Sequence, residues 1–239
     1  MNQENKNEDL EKPNPQKSVW YNKDYFDPSP GKVISGYDTG YSEKSMKLKF
    51  NLITHLIRRY CLAKLIRGGK EVKVLELGGA KGLLTKRLNK LPHTQAVNID
   101  WSEYATQNCD PEAPTVRGDL QALPFPLETF DTLVSCDVFE HLLPENVDIV
   151  LEEAHRVLKP GGNAFFMVSI KTSYLPIEEK SHLTLEDINW WKRKFKQAGF
   201  ITHKNLLTRV AATLTSIQPK LKSPMYPWPE GVFILSKPQ

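Results

Sequence analysis

Residues Val72 to Leu88 read Val-Lys-Val-Leu-Glu-Leu-Gly-Gly-Ala-Lys-Gly-Leu-Leu-Thr-Lys-Arg-Leu, and no other stretch limits the fold as sharply. An apolar run carries the carboxylate Glu76. A loop of small residues follows (Gly78, Gly79, Ala80, Gly82), and then a helical pattern. A buried strand that delivers a tight turn into a helix needs small side chains at the turn, and these let a ligand approach the backbone. The helix that follows begins with unsatisfied N–H groups at the same spot.

Strand and helix patterns alternate beyond this point. Strands are expected at Lys73–Leu77, at Gln95–Ile99 ending in Asp100, at Thr115–Arg117 before Asp119, and at Phe130–Ser135 before Cys136-Asp137. A helix is expected over Pro144–Leu158, ended by Lys159-Pro160-Gly161-Gly162, with a fully apolar central strand at Ala164–Ile170. Thr184 is expected to cap the next helix, with Asp187 as its capping-box partner. The last two strands are expected at Phe200–Leu207 and Val232–Ser236. This alternation implies an α/β fold: a Rossmann-like seven-stranded mixed sheet with helices on both faces and an antiparallel last strand. Ligands of such sheets bind at the carboxyl ends of the strands.

The N-terminal part differs in character. Residues 1–18 are polar and carry Pro13 and Pro15, and are expected to form a disordered leader. Residues 19–68 are expected to form a lid. An aromatic, Gly/Pro-rich segment with Trp20, Tyr21, Tyr25, Phe26, Tyr37 and Tyr41 leads into a helix over Ser42–Ile66, whose Phe50, Ile53, Ile57 and Cys61 share one face. Residues 69–239 are expected to form the ligand-binding domain.

Composition narrows the class. A net charge of +4 over 239 residues reads as a solvated surface. Cys61, Cys109 and Cys136 show neither metal spacing nor a disulfide framework, which points to a reducing, cytoplasmic setting. No apolar run is long enough for a membrane span, and nothing has the form of a signal peptide.

The loop and its neighbours resemble the class I S-adenosylmethionine-dependent methyltransferases, in particular small-molecule enzymes of the methyltransferase type 11 kind. Four landmarks carry the resemblance, in order: Glu76 to Gly82, Asp100, Gly118-Asp119-Leu120, and Leu158-Lys159-Pro160-Gly161-Gly162. The family's acidic-x-Gly-x-Gly-x-Gly is met with Ala80 in the middle glycine position. A dinucleotide fingerprint would place a third glycine at Leu83. The resemblance implies S-adenosyl-L-methionine as cofactor and a cofactor-binding set of Glu76, Gly78, Gly79, Ala80, Gly82, Asp100, Trp101, Asp119, Leu120 and Cys136. Within it, Asp100 would accept hydrogen bonds from both ribose hydroxyls, Asp119 would meet the adenine amino group, Leu120 would pack on the ring, and Glu76 would support the loop and the methionine amino group. Trp101 could stack on adenine, and Lys81 could reach the cofactor carboxylate or simply be solvated.

The resemblance implies methyl transfer to oxygen or nitrogen of a small-molecule acceptor. His141, in a Glu-His stretch after the fourth strand, and His182 are the candidate bases, since imidazole titrates near neutrality. Tyr37 and Tyr174 could shape the acceptor pocket. Asp137-x-x-Glu140-His141 with His182 is similar to the metal-binding stretch of small-RNA 2′-O-methyltransferases and ubiquinone-pathway O-methyltransferases; this keeps a metal-assisted 2′-O-methyltransferase on RNA as an alternative, although no metal is expected. Lys171 and Asp137 sit where ribose methyltransferases of larger RNAs keep part of a tetrad, in a context that does not match. The Asn/Asp-Pro-Pro-aromatic stretch of base methyltransferases is missing, which argues against DNA or RNA base methylation, and a nucleic-acid partner is not expected. A non-catalytic cofactor-binding module would share the same landmarks.

Overall fold

The computed structural model describes residues 21–28, 41–170, 181–203 and 231–239. The leader at 1–18, Trp20, Tyr37, Lys171, Tyr174, the loop 210–230 and the strand expected beyond residue 203 lie outside the described residues.

The sheet has seven strands: β1 (Val72–Leu77), β2 (Thr94–Asp100), β3 (Thr115–Arg117), β4 (Phe130–Cys136), β5 (Leu158–Met167), β6 (Ile201–Thr202) and β7 (Val232–Ser236). Their order is β3-β2-β1-β4-β5-β7-β6. The first five are parallel to their neighbours, while β7 runs antiparallel to both β5 and β6. This is the expected mixed sheet. The order reverses between β1 and β4, so the crevice at their carboxyl ends is the natural ligand site.

Both faces of the sheet are covered, and the period-2 alternation of the strands shows it. Val74 and Phe165 pack into one apolar cluster with Phe50, Ile53 and Leu84; their chain neighbours Leu75 and Phe166 pack into another with Val150, Trp191 and Phe195. The first cluster belongs to α1 (Lys23–Phe26), α2 (Glu43–Ile57) and α4 (Leu83–Leu88), the second to α6 (Val147–Val157) and α7 (Ile188–Gln197). Two short helices, α3 (Ala63–Arg67) and α5 (Glu103–Gln107), complete the described set.

Several boundaries differ from expectation. The helix expected over Ser42–Ile66 starts as foreseen: Ser42 accepts from the Ser45 N–H, and the Ser45 hydroxyl accepts from the Ser42 N–H. It is then interrupted by a π-helical turn at Arg58–Leu62 before α3. The extra residue in that wider turn keeps Cys61 and Leu62 buried. Helix α6 is preceded by a 3₁₀ turn at Pro144–Asn146 and ends at Val157. Strand β5 begins at Leu158, so the Lys159–Gly162 turn is a bulge within it, with its register slipping opposite Phe130–Thr132. The cap of α7 is Asp187, whose carboxylate accepts from the Asn189 and Trp190 N–H groups. Thr184 instead donates to the Leu142 carbonyl, so its hydroxyl is committed to a loop.

Candidate functional site

A cavity of about 410 Å³ opens at the carboxyl ends of β1, β2 and β4. Its floor is the Gly78–Ala80 turn. Gly78 has φ +70°, and a Cβ there would lie 2.7 Å from the methyls of Val138. At Gly79 a Cβ would come within 2.4 Å of both the Asn98 carboxamide and the Glu76 carboxylate. Ala80 holds φ 50°, a left-handed conformation that an L-residue adopts at a cost of about 1 kcal/mol. The resulting bend exposes backbone toward the cavity.

Buried polar groups hold this bend. Asn98, fully buried in β2, accepts from the Gly79 N–H at 2.9 Å and donates to the Ala80 carbonyl at 2.9 Å. Asp100 accepts from the Ala80 N–H at 2.7 Å through one oxygen and from the Ser102 N–H at 2.7 Å through the other. Glu76 accepts from the Thr85 N–H at 2.8 Å and from the Thr85 hydroxyl at 2.5 Å. Burial pushes both acids up, Glu76 to about 7 and Asp100 to about 6, against the bonds they accept.

Of the sequence-derived cofactor set, Glu76, Gly78, Gly79, Ala80, Asp100, Trp101, Asp119, Leu120 and Cys136 all line the cavity. Gly82 does not. At φ +72° it starts α4, and a Cβ there would press on Ala113 at 2.6 Å, so its smallness serves packing. Lys81 is engaged away from the cavity wall, donating to Asp27 at 2.5 Å with its ammonium 5.6 Å from the Tyr104 ring centroid. The Trp101 indole N–H is buried without a hydrogen-bond partner among the described residues, as a donor awaiting a ligand would be. Burial, reinforced by the Asp137 and Glu76 charges, holds the Cys136 thiol well above its ordinary range, so it stays neutral.

The other end of the cavity is built from separate parts of the chain. Tyr21, Tyr25, Met46, Lys49 and Phe50 face Asp137, His141, Leu142 and Leu143. Lys49 pairs with Asp137, which itself sits at φ 55°. His141 lies edge-on to Tyr21 and Tyr25, with centroids at 6.0 and 6.5 Å. Its Nδ1 is 3.0 Å from the Ser181 carbonyl. A carbonyl only accepts, so Nδ1 carries the hydrogen and the lone pair of the neutral ring lies on Nε2.

His182 does not line the cavity but sits behind His141, with ring centroids 4.9 Å apart. Its segment is pinned there because the Leu183 and Thr184 N–H groups both donate to the Glu140 carbonyl. Glu140, His141 and His182 offer ligand atoms all within 4.8 Å of one another. One Glu140 oxygen accepts from the Ser169 N–H, while the other is buried with no hydrogen-bond partner among the described residues.

Among the positions that shape the cavity, the sequence did not point to Asn98 behind the glycine turn, or to Lys49 and Phe50 in the wall. A polar residue inside the apolar run Ala96-Val97-Asn98-Ile99 was the available signal for the first.

Comparison with known proteins agrees with this geometry. Residues 75–166 match the family described as Methyltransferase domain. Over 91 residues the chain is 35% identical to the rat (Rattus norvegicus) mitochondrial protein named arginine-hydroxylase NDUFAF5, covering 37% of this chain and 26% of that one. The chain thus spans about a quarter of the length of that curated relative. Among solved structures, the [4+2]-cyclase SpnF matches over 90% of this chain and 86% of its own, at 16% identity and a TM-score of 0.58. Haemonchus contortus phosphoethanolamine N-methyltransferase 2, solved with phosphomonomethylethanolamine and S-adenosylhomocysteine, matches over 82% and 60%, at 15% identity and a TM-score of 0.53. At such identities the two structures speak for the fold. With the matched domain, they show what the chain is similar to: a methyltransferase domain at residues 75–166, set in a methyltransferase-like fold.

Proposed function

We propose that the protein binds S-adenosyl-L-methionine in this cavity and transfers its methyl group to oxygen or nitrogen of a small-molecule acceptor. One observation carries the reading. Asp100 bridges the Ala80 turn and Ser102 while facing the cavity, so its remaining lone pairs are aimed where a ribose diol would sit. A second observation weighs against a dinucleotide. The start of α4, which would cradle a pyrophosphate, is occupied by the Glu76 carboxylate, and a bound phosphate would be repelled.

On this reading Asp119 and Leu120 face the adenine, Asp100 the ribose, and the Gly78–Ala80 backbone the rest of the cofactor. The bound cofactor supplies an already activated methyl carbon, so the chain's work is alignment and exclusion of water. Tyr21, Tyr25 and Phe50 wall the acceptor end, and His141 Nε2 accepts the acceptor's proton where one must leave. Residues 21–28 with α2 would act as a cover over the cavity. Deleting residues 1–41 should then weaken both cofactor affinity and turnover, and unchanged values would overturn the cover.

Among the described residues no helix is long and apolar enough to cross a membrane. The three cysteines are unpaired, which supports a reducing compartment such as the cytoplasm. The test of activity is incubation with methyl-labelled cofactor and a metabolite extract. Label in a small-molecule fraction supports the enzyme; cofactor binding without transfer across such extracts would favour a regulatory module.

A second reading adds a divalent cation at Glu140, His141 and His182, favoured by the unpartnered buried oxygen of Glu140. The cation would polarise an acceptor hydroxyl, and His141 would then be a ligand and not a base. Metal analysis of protein purified without chelator separates the two: one equivalent of metal, lost in His182→Ala, supports the cation.

A further inference from the structure

Among the described residues, Lys49 is the only lysine or arginine that lines the cavity, whereas Glu76, Asp100, Asp119 and Asp137 all line it. S-adenosyl-L-methionine bears one anionic group, its α-carboxylate, and two cationic ones. A mostly acidic wall suits the sulfonium and the ammonium but leaves the carboxylate a single cationic side chain to meet.

The strand order says where that carboxylate must lie. Asp119 follows β3, Asp100 ends β2, the Gly78 turn follows β1, and Asp137 follows β4, side by side in that order along the sheet edge. With adenine at Asp119 and ribose at Asp100, the amino-acid end extends past β1 towards β4. There Lys49 reaches down from α2, on the same helical face as Met46 and Phe50, and meets Asp137. The pair is partly shielded, with side-chain exposures of 15% and 24%, so it is screened less than a surface pair.

Resting on the cofactor assignment made above, we propose that Lys49 is the residue that binds the cofactor's α-carboxylate, exchanging Asp137 for it, while Asp137 turns to the adjacent ammonium. The two side chains are complementary to an α-amino-acid head: a cation for its carboxylate and an anion for its ammonium, already in contact with each other before the ligand arrives. Lys49 is what distinguishes a cofactor bearing the amino-acid head from one lacking it.

The test compares two probes by calorimetry on the full chain: S-adenosylhomocysteine, which has the head, and 5′-methylthioadenosine, which does not. Lys49→Met is expected to weaken S-adenosylhomocysteine by about tenfold or more, as loss of one partner of a partly desolvated charge pair does, and to leave 5′-methylthioadenosine within about twofold. Lys49→Arg should restore much of the difference. The double variant Lys49→Met/Asp137→Asn, which leaves no unpaired carboxylate, should keep the same selective loss and guards against misfolding of the single variant. Equal weakening of both probes, or of neither, would overturn the role of Lys49 while leaving the cofactor site standing. Failure of either probe to bind the folded native chain would overturn the cofactor assignment itself, and this inference with it.

Discussion

The two ends of the cavity are built on different principles. At the β1–β2 end, the turn that forms the floor comes from residues 76–102 and is fixed by buried hydrogen bonds to backbone: Asn98 on Gly79 and Ala80, Asp100 on Ala80 and Ser102, Glu76 on Thr85. At the β4 end, beyond the Lys49–Asp137 pair, the wall is assembled from Tyr21, Tyr25 and His141, which come from separate parts of the chain and meet by ring packing. A rigid end for a constant ligand and an adaptable end for a variable one is the division expected when one cofactor serves many acceptors.

Variants can break that division or sharpen it. The largest effect belongs to the adaptable end. His141→Asn should lower kcat by about 10²- to 10⁴-fold if Nε2 acts as general base, with S-adenosylhomocysteine affinity nearly unchanged. Steady-state kinetics paired with calorimetry checks it, and a parallel fall in affinity would place His141 at the wrong end. Next is Gly79→Ala at the rigid end. Its Cβ would meet Asn98 and Glu76 at 2.4 Å, and forcing an atom into such packing costs about 1–3 kcal/mol. Chemical denaturation should show that loss, together with loss of cofactor binding.

Asp100→Asn comes third. Losing charge-assisted hydrogen bonds to a ligand should weaken S-adenosylhomocysteine by about tenfold to a hundredfold. Its effect on stability should have the opposite sign at high pH. Burial raises Asp100 from 3.8 to about 6 and Glu76 from 4.5 to about 7. Their protonated forms stabilise the unliganded fold fully below about pH 4, and that contribution is lost as pH rises through 6 to 7. Cofactor affinity needs ionised Asp100 and should rise over the same window. Opposite slopes of melting temperature and affinity between pH 5 and 8, both flattened in Asp100→Asn, are the expected outcome. The smallest effect is Ala80→Gly, which relieves a left-handed alanine and should stabilise the chain by at most about 1 kcal/mol without harming cofactor binding.

The same contrast explains what the sequence made legible. The rigid end is written locally: strand, carboxylate, small-residue turn and helix follow each other within a few residues, so Glu76, Gly78, Gly79, Ala80 and Asp100 could be placed on one crevice from pattern and resemblance together. Gly82 followed the same pattern, but its lack of a side chain answers to Ala113 and not to the cavity. Asn98 was hidden because a strand-interior position reads as core, and only the three-dimensional turn reveals what its carboxamide holds. Lys49 was hidden because a lysine on a helix is ordinarily solvated, and its partner Asp137 is 88 residues away. The π-helical turn at Arg58–Leu62 has no marker in the apolar periodicity, which continues through it. The choice of Asp187 over Thr184 as the cap of α7 was decided by a tertiary bond, from Thr184 to the Leu142 carbonyl, that no local rule contains.

On the proposed reading an adenosyl ligand lies across β2, β1 and β4 with its ribose on Asp100. Titration of the purified, folded chain with S-adenosylhomocysteine in a calorimeter at pH 8 addresses this most directly. Saturable heat with one site per chain, much reduced in Asp100→Asn, is the expected result. A flat titration on a chain that still melts cooperatively, or identical binding in the native and Asp100→Asn proteins, would contradict it.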